Sequence, residues 1–275
     1  MTYIGIIPAR YASTRFPGKP LALIGDKPMI QHVYEQARKA LDNVVVATDD
    51  ERIYNAVQDF GGHAVMTRPD HRCGTERCLE AFDIWNAART DDTDCVVVNI
   101  QGDEPFIRPE QIHALCDCFE GPGGDGTQIA TLVRPYTADD SLESLLNPNT
   151  PKVTLRTIHT PAADKDQPAL EAILFSRSVI PFRRGVPQQQ WLADSGVTYY
   201  RHIGMYAYRA DVLRCITRLA PSPLEQAESL EQLRWLENGY RIRIAVTHTA
   251  SIGIDTPDDL LRAQQYLQDN QRIIK

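Results

Sequence analysis

YIGIIPARYASTRFPGKP (residues 3–20) joins a short apolar run to a cationic loop. Residues 3–7 have the unbroken apolar character of a buried strand, so the loop at 8–20 begins where a strand ends. In open α/β sheets that edge is where ligands bind. The loop carries Arg10, Arg15 and Lys19, and in a chain with 36 acidic residues none falls between Met1 and Gly25. Its small residues, Ala9, Ala12, Ser13 and Gly18, let backbone N–H groups approach phosphate oxygens closely. The pattern suits a polyanion; its ordinary alternative is a basic, solvated surface loop. A Walker A loop is excluded, because Ser13 stands at the first glycine position and Pro20 follows Gly18-Lys19 where a magnesium-binding hydroxyl is required.

The rhythm on either side predicts the fold. Met29, Val33, Ala37 and Leu41 have helical spacing behind Pro28, and NVVVAT at 43–48 is a strand. Asp49 or Asp50 caps a helix with Ile53, Val57 and Phe60 on its buried face and Gly61-Gly62 as its stop. A third strand at 63–66, a third helix at 74–88 and the near-continuous apolar run DCVVVNI at 94–100 continue the alternation. Strands and helices in this order indicate an α/β fold with a doubly wound, mostly parallel sheet. After a helix at 108–120 the pattern changes to strands at 129–135, 153–159, 172–175 and 203–208, separated by turn compositions at 147–151 and 160–168. This reads as a smaller, more antiparallel part of one 275-residue domain. A helix at 210–219, a single helix at 223–239 with Leu224, Ala227, Leu230, Leu233 and Leu236 on one face, and a strand at 241–247 follow. Thr256-Pro257-Asp258-Asp259 opens a terminal helix with a hydroxyl cap, proline at the first position and two acids in the first turn. The glycine-rich run at 121–126 matches a dinucleotide fingerprint only in letters: it follows a helix and precedes a strand, the reverse of the required order, and reads as a flexible loop.

With 43% hydrophobic and 24% charged residues the chain is an ordinary globular protein, expected to bury about three quarters of its unfolded surface. A formal charge of −7 argues against non-specific nucleic-acid binding, so an anion must be met locally. The N-terminus has no basic-then-apolar leader pattern, and no apolar run approaches the roughly 18 residues that span a bilayer, which makes a cytoplasmic location and no membrane partner the expectation. Six cysteines in a chain of this kind are expected to be reduced thiols. His71, Cys73 and Cys78, or His113, Cys116 and Cys118, lack the paired C-x-x-C knuckles of a structural zinc site.

Two acids complete the chemistry. Asp103, in Gln101-Gly102-Asp103-Glu104-Pro105, follows the most apolar strand and is expected at the same sheet edge as the cationic loop. Asp255 ends a short apolar segment just ahead of the capped helix. Two carboxylates beside a polyphosphate make a magnesium site, because this hard cation prefers oxygen and shares its shell with phosphate and water. Singly, each acid is explained as well by a helix cap or dipole partner.

PARYASTRFPGKP, MTRPDHRCGTER, VVVNIQGDEP, FSRSVIPF, RHIGMYAYR, SPLEQAESLEQLRWLENG and GIDTPDDL, in this order, resemble the 3-deoxy-manno-octulosonate (Kdo) cytidylyltransferases, over residues 1–267. The resemblance implies a nucleotide-diphospho-sugar transferase-like fold, a homodimer, a magnesium cofactor, and formation of CMP-Kdo and pyrophosphate from CTP and Kdo for lipopolysaccharide synthesis, with residues 129–222 as the sugar-binding and dimerisation part. It further implies that Ala9, Arg10, Arg15, Lys19, Gly74 and Arg77 bind the nucleotide, with Lys19, Arg10 and Asp103 catalytic. Asp103 and Asp255 would hold magnesium, and Gln101, Arg177, His202, Tyr206, Glu231 and Gln232 would line the sugar-acid pocket. Taken alone, Arg177 at a strand end reads equally as a carboxylate fork or a surface ion-pair residue. His202 and Tyr206 lie on one face of a strand, and Glu231 and Gln232 suit the solvated face of an amphipathic helix. Phe16 stands where leucine is common, and residues 160–170 are longer than usual for the family. A cytidylyltransferase for 8-amino-Kdo or a sialic acid, or a non-catalytic nucleotide-sugar regulator, would share most of these features.

Overall fold

The computed structural model describes residues 1–12, 16–87, 94–120, 124, 126–158, 169–193, 196–249 and 253–273. Its contacts divide the chain into two compact units, residues 1–112 with 251–275, and residues 113–250.

In the first unit, β1 (Thr2–Ala9) leads past a 3₁₀ turn (Lys19–Leu21) to a two-strand hairpin, β2 (Leu23–Ile24) and β3 (Lys27–Pro28). Then come α1 (Met29–Ala40), β4 (Asn43–Thr48), α2 (Glu51–Asp59), β5 (Ala64–Met66), α3 (Gly74–Asn86) and β6 (Cys95–Asn99), with the division between units falling inside α4 (Pro109–Asp117). The strands lie in the order β5-β4-β1-β6, all parallel. Every residue of β6 is buried, as its uniform apolar run requires for a strand covered on both faces. The caps agree with the sequence: the Asp50 carboxylate accepts from Arg52 N at the start of α2, and Gly61 beyond its end has φ +76°. One expectation is revised. β1 runs through Pro8 and Ala9, so the cationic loop starts at Arg10.

The second unit contains β7 (Ile129–Pro135), the short α5 (Leu142–Leu146), β8 (Lys152–Ile158), β9 (Ala169–Ser176), β10 (Tyr200–Arg209), α6 (Ala210–Ile216), α7 (Pro223–Glu228), α8 (Glu231–Glu237) and β11 (Ile242–Val246). Its strands are ordered β10-β7-β11-β9-β8, and only β7–β11 is a parallel pair. The first residues of β10 also pair with β8. The chain then returns to the first unit in α9 (Pro257–Ile273), whose Ala263 packs with Ile24, Met29 and Ile254 in a fully buried cluster. The fold is thus α/β, with a parallel, helix-covered part and a more antiparallel one.

The single helix expected at 223–239 is two helices. Ser229 sits in the left-handed region at φ 50°, ψ 48°, and Leu230 is extended, so α7 ends at Glu228 and α8 restarts at Glu231. The break turns the second half: Leu224 is exposed, while Gln232, Leu233, Arg234 and Trp235 are buried. α5, led by the Ser141 cap, was not anticipated. The glycine run at 121–126, apart from Gly124 and Gly126, and the loop at 160–168 lie outside the described residues.

Candidate active site

Parallel pairing of β1 with β6 brings the ends of both strands, and therefore Arg10 and the Gln101–Asp103 turn, to one edge. The turn comes close to β1: a side chain at Gly102 would place a Cβ 3.0 Å from Pro8 O. On the other side the loop is folded back on itself, with Gly18 N donating to Tyr11 O at 2.9 Å and Gly18 at φ +70°. Arg52 from α2 stacks on the Tyr11 ring, 3.3 Å from its centroid, and fastens the start of the loop.

Lys19 lies at the centre. Its ammonium donates to Asp103 Oδ2 at 2.7 Å, to Ile254 O at 2.9 Å and to Asp255 Oδ1 at 3.3 Å, which uses all three N–H groups. Residues separated by 84 and 236 positions meet on one nitrogen. The Asp255 segment is secured twice. Ile254 N donates to Asp103 O at 2.9 Å, and Asp259 Oδ2 accepts from Asp255 N, Thr256 N and the Thr256 hydroxyl at 2.8 to 3.0 Å. Burial pushes the Asp259 carboxyl up, but bonds from Arg262, Thr256 and the two backbone N–H groups outweigh it and hold the pKa at about 2.

A cavity of about 400 Å³ opens beside Lys19. Ala9, Arg10, Lys19, Gly74, Arg77, Gln101 and Asp103 line it. Gly74 is the first residue of α3, so a helix N-terminus with its partial positive charge faces this space. Arg10 also donates to His71 O. Arg77 has no accessible surface; its guanidinium donates to Asp49 Oδ2 at 2.9 Å and Thr67 Oγ1 at 2.5 Å, so it braces the wall from within. Arg15 lies outside the described residues.

The remaining candidates belong to the second unit. His202 and Tyr206 share a face of β10 across a bulge, their rings 5.3 Å apart, with Phe175 edge-on to His202 and Trp235 edge-on to Tyr206. Burial pulls the His202 pKa down to about 3, so the ring is neutral. Thr131 Oγ1 gives its one proton to Met205 O at 2.8 Å, so at its 3.1 Å contact with His202 Nε2 the imidazole is the donor and Nδ1 keeps the lone pair. Burial, with the nearby Glu231 charge, raises the Tyr206 phenol well above its usual range. Tyr206 OH and Gln232 Nε2 are buried with no hydrogen-bond partner among the described residues. Gln232 is only 4% exposed, which overturns its reading as part of a solvated helix face. Glu231 accepts from Arg234 Nη2 at 2.8 Å.

Arg177 follows β9. Its Nε donates to Glu228 O at 2.5 Å, Nη1 to Pro148 O at 3.0 Å and Nη2 to Ser229 O at 3.3 Å. Two of these carbonyls are the orphan acceptors at the C-terminal end of α7, where a cation is favoured. A guanidinium has five N–H groups. Three are spent on carbonyls, and one on each terminal nitrogen is left, the number that a carboxylate fork takes.

The cytidylyltransferase family model matches residues 4–243. The 3-deoxy-manno-octulosonate cytidylyltransferase of Phocaeicola vulgatus is 55% identical over 271 residues, 98% of this chain and 99% of the relative. This chain belongs to the Kdo cytidylyltransferase family. The enzyme of the same name from Bacteroides thetaiotaomicron is 54% identical, covering 98% of this chain and 99% of its own. A solved structure of CMP:2-keto-3-deoxy-manno-octonic acid synthetase complexed with CTP superposes with a TM-score of 0.81 at 39% identity, covering 98% of this chain and 100% of that one.

Several residues that hold the candidate residues in place were not marked by the sequence. Asp259, expected only as a first-turn acid of the terminal helix, also fixes the backbone of Asp255. Asp49, a candidate cap, instead pairs with the buried Arg77, a contact between the turn after β4 and α3 that no local pattern announces. Glu228 had no signal at all: its carboxylate accepts from Arg177 N at 2.8 Å and from Ser176 Oγ at 2.6 Å.

Proposed function

We propose that the chain transfers CMP from CTP to the anomeric hydroxyl of Kdo, releasing pyrophosphate, with the residues above in the following roles. Arg10, Arg15, Lys19 and the N-terminus of α3 at Gly74 take the triphosphate, while Ala9 and Gly102 keep the wall close and Arg77 stiffens it. Gln101, Arg177, His202, Tyr206, Glu231 and Gln232 take the sugar acid, Arg177 through its two remaining N–H groups. The observation that carries the reading is Lys19 Nζ, gripped by Asp103, Asp255 and the Ile254 carbonyl at the wall of a cavity that Arg10 also lines.

The same three oxygens test the fit of a cation. They already converge on one positive centre, and carboxylate and carbonyl oxygens are the donors a hard divalent ion prefers. Asp103 and Asp255 would hold magnesium, which when bound would lower the pKa of the sugar hydroxyl and draw charge from the phosphate. The protein groups supply the rest. The hydroxyl oxygen forms a bond to the α-phosphorus as the bond to the pyrophosphate oxygen breaks, and the hydroxyl proton is released to water. Arg10 stands at the cavity wall for the charge that moves onto the leaving group; Arg15 would add to it, as would Lys19 once the oxygens of Asp103 and Asp255 pass to the metal and free its ammonium. Neutral His202, with Nδ1 as an acceptor, and the Tyr206 hydroxyl offer uncharged hydrogen-bonding partners for sugar hydroxyls.

We further propose that the chain acts in the cytoplasm as a homodimer with neither nucleic-acid nor membrane partners, and that residues 129–222 carry the sugar-binding and dimer contacts. Exposed Ile173, Leu174 and Phe182 support the dimer; Phe182 is 72% exposed. No helix among the described residues is long and apolar enough to cross a membrane.

The deciding assay is pyrophosphate release from CTP, UTP and ATP with a panel of Kdo, 8-amino-Kdo and a sialic acid. Release is expected with CTP and Kdo, and Asp103→Ala is expected to lower kcat by at least about 10²-fold, the scale for losing one preorganised electrostatic contact. Preference for another acid would reassign the substrate, and near-normal turnover in folded Asp103→Ala would remove Asp103 from the chemistry.

A further inference from the structure

Lys152, the first residue of β8, has no accessible surface. Its ammonium donates to the carbonyls of Asn147 at 2.9 Å, Thr150 at 2.8 Å and Arg177 at 2.9 Å. A protonated lysine has three N–H donors and no acceptor, so the group is saturated, and the neutral amine would leave one of the three carbonyls without a donor. Burial of an ammonium is costly even when its donors are met, and an aliphatic side chain would fill the space without that cost. The position therefore requires the charge and its three directed bonds.

The three bonds share one beneficiary. Asn147 and Thr150 flank Pro148, whose carbonyl receives Arg177 Nη1 at 3.0 Å, and the third acceptor is the carbonyl of Arg177 itself. One ammonium thus fixes both the backbone that carries the guanidinium and the loop on which the guanidinium rests. Glu228 holds the opposite side, accepting from Arg177 N at 2.8 Å, while its own carbonyl takes Arg177 Nε. Pairing of β8 with β9 sets the arrangement, because Lys152 lies directly opposite Ser176, the residue before Arg177.

We propose that Lys152 is a positioning residue for sugar-acid recognition: it holds Arg177 so that its two remaining N–H groups stay aimed at a substrate carboxylate. This rests on the reading of Arg177 as the carboxylate ligand. A fork tolerates little rotation, since both bonds must form together. Loosening Lys152 therefore weakens binding of the acid and leaves the nucleotide untouched.

Initial-rate kinetics of Lys152→Met, Lys152→Arg, Arg177→Lys and the double variant Lys152→Met/Arg177→Lys test this. Lys152→Met is expected to raise KM for Kdo at least about tenfold while KM for CTP stays within about twofold, and Lys152→Arg, which keeps the charge, recovers part of the loss. The double variant loses no more than Arg177→Lys alone, because Lys152 acts through Arg177. A parallel rise in both KM values, or a double variant whose losses multiply, overturns the role of Lys152. If Arg177→Lys raises KM for Kdo and Lys152→Met does not, only Lys152 is misassigned; if Arg177→Lys has no effect, the reading of Arg177 falls and takes this proposal with it. Thermal stabilisation by CTP reports whether each variant folds. Should Lys152→Met fail that check, an unchanged KM for Kdo in Lys152→Arg overturns the proposal, and a raised one with an unchanged KM for CTP supports it.

Discussion

His202 is a histidine that does not act as a pH switch near neutrality. Enclosed by Phe175 and Tyr206 and bonded to Thr131, it has a folded-state pKa of about 3, against about 6.5 for an exposed imidazole. Between these values the unfolded chain binds a proton that the folded chain refuses, so stability rises with pH from about 3 to 6.5 and this contribution is flat above. The expected slope is up to about 1.4 kcal/mol per pH unit. Urea unfolding at pH 5 and pH 7.5 should show a larger pH dependence for the native chain than for His202→Phe, and equal dependence would mean that the imidazole is not desolvated. At this scale the sequence was informative about charge and poor about surroundings. Three cations without a nearby acid, and two acids after apolar segments, marked Arg10, Lys19, Asp103 and Asp255, because charge clustering is visible in one dimension. That Arg77 is enclosed by Asp49 and Thr67, and that Gln232 is buried, depends on neighbours from other elements.

Among the elements, the strands of the large sheet and the first four helices were legible because periodicity and caps are local properties; the β2–β3 hairpin, two residues to a strand, was too short to show a period. The region at 223–239 was not. Leu224, Ala227, Leu230 and Leu233 keep helical spacing straight through the break, and serine is no strong breaker. What ends α7 is Arg177, arriving from β9 to take the carbonyls of Glu228 and Ser229. Ser229 then turns left-handed, a conformation that costs an L-residue about 1–2 kcal/mol and costs glycine nothing. Ser229→Gly is accordingly expected to leave stability within about 0.5 kcal/mol or to raise it by up to about 1 kcal/mol, and Ser229→Val to lower it by about 1–2 kcal/mol. Chemical denaturation of the pair checks this; a glycine variant clearly weaker than valine would mean that the serine hydroxyl, not its backbone, matters there.

On the scale of the whole molecule, the contrast between a parallel α/β part and a more antiparallel part was readable from the change in rhythm after residue 120. The return of the last residues to the first unit was not, because nothing in GIDTPDDL says which strands it will meet. Ile254 makes that return specific. It is fully buried with Ile24, Met29 and Ala263, and its backbone N–H and carbonyl reach Asp103 and Lys19. Ile254→Ala is expected to destabilise the protein by about 2–4 kcal/mol through the cavity it leaves, and to lower kcat as Asp255 loses its anchor. A destabilised variant with unchanged kcat would separate the packing role from the catalytic one. The discontinuity also bears on synthesis. Residues 113–250 form a contiguous unit that can close while the chain is still being made, whereas the first unit waits for residues 251–275. Lys19 is made 236 residues before Asp255, so the ion pair between them forms only after the whole of the second unit has been synthesised, and a chain terminated ahead of residue 255 lacks that partner.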